Sequence, residues 1–147
     1  MHKYKFKEIA SFSYGKMPDK NLISSLGKYP IYSGYQISGY YNTFNVEGNE
    51  LVLIARGVGG TGEIRKTPCK CWLTNLSIKI SVETKNVLKD YLFYKFQAKD
   101  LRYLNSGSAQ PQITIADLSE IEIYLPNLDV QQHIVDTKCY SSLSKIS

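Results

Sequence analysis

The chain of 147 residues has one tryptophan, two methionines, two histidines and three cysteines. Each shortage narrows the function. An odd cysteine count does not build a disulfide framework and points to a reduced, cytoplasmic setting. Cys69 and Cys71 form a C-x-C pair with no further Cys or His nearby, at best half a zinc site. On a strand they point to opposite faces, so both read as ordinary packing residues. His2 and His133 lie far apart, and neither has a local Ser, Cys or Asp arrangement of catalytic form. No stretch approaches the roughly eighteen apolar residues of a membrane-spanning helix, so no membrane partner is expected. The N-terminus, Met1-His-Lys-Tyr-Lys-Phe-Lys-Glu, starts basic but lacks the apolar run of a secretory signal. The acids are scattered, with no D-x-D, no nuclease P-D-x-x-K and no methyltransferase N-P-P-Y or D-P-P-Y. The expectation is no catalytic residue, no metal and no cofactor.

What is present is a basic, tyrosine-rich domain. Apolar content of 43% and charged content of 21% are ordinary for a globular chain, and the length suits one domain. The net charge of +5 fits a phosphate-rich partner or, more blandly, a solvated basic surface. Twelve tyrosines against five phenylalanines suit both half-buried sheet positions and a recognition surface.

Periodicity divides the chain into short elements. Residues 4–12 read as a short strand entering a helical turn, and 13–28 as a punctuated loop. Residues 29–33 read as a strand, 34–50 as hairpins with tight corners, and 51–55 as a strand buried on both faces. Residues 63–68 read as a turn, while 69–74 and 76–82 read as strands. Residues 86–103 form the best helical pattern, with Asn86 as N-cap and Leu88, Tyr91, Leu92 and Phe96 on one face. Thr114 is placed to cap a short helix through Leu118, and 120–125 alternates as a strand that Pro126 ends. From 128 onward Leu128, Val135, Cys139, Leu143 and Ile146 recur near a 3.5 spacing, a coiled-coil-like seam too short to be stable alone.

The glycine-rich turn Arg56-Gly-Val-Gly-Gly-Thr-Gly lacks the Gly-Lys-Ser/Thr of a P-loop, and its order does not match a dinucleotide fingerprint. It reads instead as a strand-to-strand loop in which Arg56 offers a fork to a guanine edge or a phosphate. Arg65, Lys66 and Lys70 follow as a basic group. They are candidates for phosphate contacts or, equally, a solvated edge that discourages strand addition.

Five pieces in order resemble one family. They are the Phe6–Lys16 opening, the strand-loop-strand Lys28–Asn42, the turn from Leu53 to Ile64, Gly107-Ser-Ala-Gln-Pro-Gln-Ile113, and Leu118–Val135 with its Gln-Gln pair. Together the chain resembles a target recognition domain from the specificity subunit of a type I DNA restriction-modification enzyme. Asn127 and Val130 stand where the family pattern has a second proline and a glutamate. The resemblance implies an α+β fold, β-rich and partly β-helix-like. A recognition domain would cover 1–126 and the start of a helical arm 127–147. It implies duplex DNA as partner, the modification subunit (which carries S-adenosylmethionine and methylates adenine), the restriction subunit indirectly, and no cofactor in the specificity subunit itself. A full subunit has two such domains, so this chain reads as a half-subunit or truncated form, with homodimerisation through the C-terminal helix as one way to restore two readers. Tyr35, Gln36, Arg56, Asn75, Ser106, Ser108 and Gln110 become candidate base readers, with loop fixing the competing role for Gln110. The alternative functions are a glycan- or protein-binding module, or a decoy that occupies the modification subunit.

Overall fold

The computed structural model describes residues 1–34, 36–56, 60–98, 101–104 and 112–146, with side chains at all of these except 98, 102 and 140–146. Strand β1 (His2–Lys5) pairs antiparallel with β9 (Glu122–Leu125), joining the two ends of the domain. One turn of helix, α1 (Phe6–Ile9), buries Phe6 and Ile9 and leads into β2 (Ala10–Tyr14). Strand β2 lies beside β8 (Ser77–Val82), then β5 (Leu51–Ile54), then β6 (Ile64–Lys66), all antiparallel. A second layer has β3 (Tyr29–Ser33) between β4 (Gln36–Tyr41) and β7 (Trp72–Leu73), with β3 and β7 parallel. The class is α+β, as expected.

The apolar run at 51–54 is explained by two cores. Successive strand side chains alternate faces. Leu51 and Leu53 enter the large core with Phe6, Ile78, Ile80 and Leu92, while Val52 enters a small one with Val46, Cys71 and Leu73. The large core is roofed by α2 (Lys89–Ala98), whose Tyr91, Leu92 and Phe96 are buried; Phe96 stacks on Phe6 at 5.4 Å. Helix α3 (Ile115–Ser119) is capped as read: Thr114 Oγ1 accepts from the Asp117 N–H at 3.1 Å. Helix α4 (Leu128–Ile146) lies against α2. Asn127 serves as its cap, accepting from the Val130 N–H at 3.0 Å, so the departure from the family pattern supplies a helix start.

Several expectations are revised. The 86–103 helix begins at Lys89: Leu88 O accepts from the Leu92 N–H at 3.2 Å, while the Leu88 N–H goes to the Gln131 side chain at 2.8 Å and the Asn86 N–H to Thr84 Oγ1 at 3.3 Å. Residues 101–104 are a separate 3-10 turn. The expected turn at 63–68 is largely strand β6, since β5 needs an edge partner on that side. Of the expected α4 seam, Val135 is buried against the chain's own domain and Cys139 Sγ lies 3.4 Å from Tyr94 Oη on α2. Leu128 is 42% exposed, Cys139 is exposed, and the side chains of Leu143 and Ile146 lie outside the described residues. The inward line is Gln131, Ile134 and Val135, the i, i+3, i+4 line of a helix packed on its own domain. Cys71 is buried and its thiol pushed up to about 11, chiefly by that burial, whereas Cys69 is exposed rather than packed. No helix among the described residues is long and apolar enough to cross a membrane.

Candidate nucleic-acid interface

Four chain segments meet where β5 ends. The Ala55 and Arg56 N–H groups both donate to Leu76 O, at 2.8 and 3.2 Å, which ties the end of β5 to the turn that carries Asn75. Ala55 O accepts from the Ile113 N–H at 2.8 Å, and Arg56 forms a lone antiparallel bridge with Gln112. The corner after β3 is the fourth segment. Gly34 has φ +66°, a left-handed value that glycine adopts without strain. A Cβ placed there would sit 3.8 Å from Arg56 O and 3.9 Å from Ile54 Cγ2, so the corner lies directly against the arginine backbone. Ser33 pairs with Gln36 across that corner, and the Ser33 and Ser38 hydroxyls share a hydrogen bond at 3.0 Å. The Asn75 turn is fixed in turn by the Thr74 N–H donating to Tyr32 O at 3.1 Å.

Gln36, Arg56 and Gln112 are exposed at this end and Asn75 is half-buried. Arg56 forms no ion pair among the described residues. Beneath the corner lies a hollow of about 210 Å³ with Tyr32, Val52, Ile54, Pro68 and Leu73 on its apolar side and Arg65, Lys66 and Thr67 on its polar side. Burial raises the Tyr32 phenol above its ordinary range. The structure therefore brings together three of the expected readers, Gln36, Arg56 and Asn75. Tyr35, Ser106, Ser108 and Gln110 lie outside the described residues. Gln112 was not among the expected readers: its bridge to Arg56 is a long-range pairing without a local signature.

The basic trio is dispersed and engaged. Arg65 forks onto Glu63 Oε2 through Nε at 3.1 Å and Nη2 at 2.8 Å. Lys66 points its ammonium toward α2, 2.7 Å from Asp90 Oδ1 and 4.7 Å from the Phe93 ring centroid. Lys70 sits over the Phe44 ring at 4.9 Å, with Glu47 Oε2 at 4.0 Å. A phosphate at any of these positions has to compete with a carboxylate already in place. Among the described residues no group of three or more His, Cys, Asp or Glu could hold a metal ion.

Comparison with known proteins gives a consistent result. A family model described as the type I restriction modification DNA specificity domain matches residues 1–137. The EcoprrI type I restriction enzyme specificity subunit of Escherichia coli is 27% identical over 106 residues, covering 72% of this chain and 26% of its own. A protein named as a type I specificity subunit of Mycoplasma pneumoniae is 25% identical over 144 residues, covering 90% of this chain and 45% of its own. Among solved structures, the S subunit of a type I restriction-modification system from M. genitalium superposes with TM-score 0.81 at 24% identity, over 92% of this chain and 37% of that one. The HsdS subunit from Thermoanaerobacter tengcongensis gives TM-score 0.72 at 15% identity, over 99% of this chain and 39% of that one. The chain thus spans less than half the length of these relatives.

Proposed function

The chain belongs to the type I restriction modification DNA specificity family, and on that premise we propose that it reads duplex DNA through the end of the domain where β5 stops. The observation that carries this reading is the convergence on one exposed end of Arg56, Gln36, Asn75 and Gln112. Their donor and acceptor sets suit base edges: an arginine fork matches guanine O6 and N7, and a glutamine or asparagine amide matches adenine N6 and N7. The hollow beside them suits an apolar group such as a thymine methyl. Tyr35, Ser106, Ser108 and Gln110 belong to the same reading as candidate base contacts. Arg65, Lys66 and Lys70 are the phosphate candidates, with the half-buried Lys66 the weakest of the three.

In this reading the chain supplies recognition and leaves chemistry to others: a modification subunit acts on the site it selects, and a restriction subunit is reached indirectly. Residues 1–126 are the reader and 127–147 the start of a helical arm. Pairing of two copies through α4 would leave Gln131 and Val135, which face the chain's own domain, and use exposed Leu128, Val130 and Cys139 together with Leu143 and Ile146 further along the helix. Sedimentation across a wide concentration range checks the pairing.

Selection from a randomised duplex pool, followed by titration at several salt concentrations, tests the reading itself. Wild type should enrich a motif and lose affinity steeply with salt, as phosphate contacts require. Arg56→Ala should keep most of the salt dependence and relax one base position by about 1–3 kcal/mol of discrimination. Salt-insensitive binding with no enriched motif would sink the DNA reading. An unchanged motif in Arg56→Ala would remove Arg56 from it.

A further inference from the structure

Gln131 is a polar side chain that is 0% exposed, on a helix that otherwise turns Gln132, His133, Asp136, Thr137 and Lys138 outward. Its amide serves three backbone groups from two other segments. Oε1 accepts the Leu88 N–H at 2.8 Å, and Nε2 donates to Asn86 O and to Pro126 O, both at 2.9 Å. Its own N–H continues the helix to Asn127 O at 3.1 Å. Residues 86–88 precede α2 and Pro126 follows β9, so one side chain joins the start of α2, the end of β9 and the first turn of α4. Burying these groups unpaired is costly, and only an amide offers two donors and an acceptor in this arrangement. Further along, α4 is held on the same narrow line by Ile134, Val135 and a 3.4 Å contact between Cys139 Sγ and Tyr94 Oη.

We propose that Gln131 is the positioning residue that fixes the direction in which α4 leaves the recognition domain, so that whatever is held by the helix keeps a set orientation to the reading end. The bonds go to strand and helix ends rather than to the sheet interior. Losing them frees the angle of α4 while β5 and β8 keep their ladder. The inference stands on the packing of this chain and holds whatever the reading end binds.

The test uses the full chain with spin labels at Ser13→Cys and Lys138→Cys, the native cysteines replaced by serine, and reads the label-to-label distance distribution beside amide exchange. With Gln131 present the distribution should be single and narrow. Gln131→Met fills the space but serves none of the three groups, and the distribution should roughly double in width with β5 and β8 amides still protected. Gln131→Glu adds a pH signature. Its protonated acid donates to one carbonyl, whereas its ionised form keeps one oxygen on the Leu88 N–H but turns the other, now an acceptor, on both carbonyls, which raises its pKa. That variant should be narrow in acid and broaden as the carboxyl ionises, with no such step in the parent. If Gln131→Met fails to fold, the Gln131→Glu titration decides. A distribution as narrow as the parent's at every pH, or broadening only together with loss of the β5 and β8 protection, overturns the proposal.

Discussion

Among the described residues, nineteen buried side chains form one continuous core on one face of β5, and a smaller cluster of Val46, Val52, Cys71 and Leu73 lies on the other. The large core carries α1, α2, α3 and α4, and dispersion and burial suffice to hold it. The thin layer of β3, β4 and β7 is held differently, by side chains bonded to backbone. Asn45 grips Leu73 with a fork, Oδ1 accepting from its N–H at 2.7 Å and Nδ2 donating to its carbonyl at 3.0 Å. Beside this layer, Thr67 Oγ1 pins the 47–50 turn that leads into β5, donating to Glu47 O at 2.7 Å and accepting the Glu50 N–H at 2.9 Å. Trp72 Nε1 donates to Lys16 O at 2.7 Å. The candidate reading end draws the Gly34 corner and the Asn75 turn from this layer and Arg56 from the strand both layers share. A layer set by local polar pins leaves its outward side chains free to be chosen for contact, while the thick core keeps the frame.

The comparison breaks most sharply in a pair of like substitutions. Leu53 is fully buried in the large core and Leu73 is buried in the small one. Leu→Ala costs about 2–5 kcal/mol, rising with the cavity left behind. Leu53→Ala should fall at the upper end, about 4–5 kcal/mol, because many neighbours surround the void. Leu73→Ala should fall near 2 kcal/mol, because a thin layer relaxes more easily. Denaturant unfolding measures both, and equal losses would dissolve the distinction between the two cores.

Asn45→Ala sharpens it from the polar side. Removing the fork takes away the acceptor of the Leu73 N–H, while Leu73 O keeps the Lys16 N–H at 2.9 Å, at a cost of about 1–3 kcal/mol. The loss should show as faster amide exchange in β7 with little change at β8. Uniform acceleration across both sheets would mean that the fork supports the whole domain instead.

The same contrast explains what could be read from sequence. The 51–55 run, the strand at 29–33, the Thr114 cap and the Pro126 stop were legible because each is encoded within a few neighbouring residues. The anchoring of the segment before α2 was not, because it rests on Gln131, more than forty residues away, whose Oε1 accepts the Leu88 N–H. The inward line of α4 was misjudged for a related reason: a buried glutamine looks polar in any hydrophobic count. At the candidate site the residue types were readable, but not that Arg56 faces Gln112, nor that Lys66 is claimed by Asp90. Both are long-range pairings with no local pattern to announce them.

The smallest effect lies on the thick side, where charges clasp the chain's first elements to the turn after α3. Glu120 takes Lys5 Nζ at 2.7 Å and Lys7 Nζ at 2.9 Å. These hydrogen bonds, with the two positive charges behind them, pull its carboxyl down to about 2 from the ordinary 4.5. The folded pKa lies below the unfolded one, so in acid the unfolded chain takes up its proton first. The contribution to stability is therefore complete above about 4.5 and disappears as pH falls toward about 2. All three side chains are about half exposed, so solvent screening keeps the contribution small. Glu120→Gln should sit slightly below wild type in thermal unfolding at neutral pH. The two should converge as the solution is acidified, and high salt should close the gap without acid. A gap that stays constant from neutral pH into acid would assign the effect to packing rather than to charge.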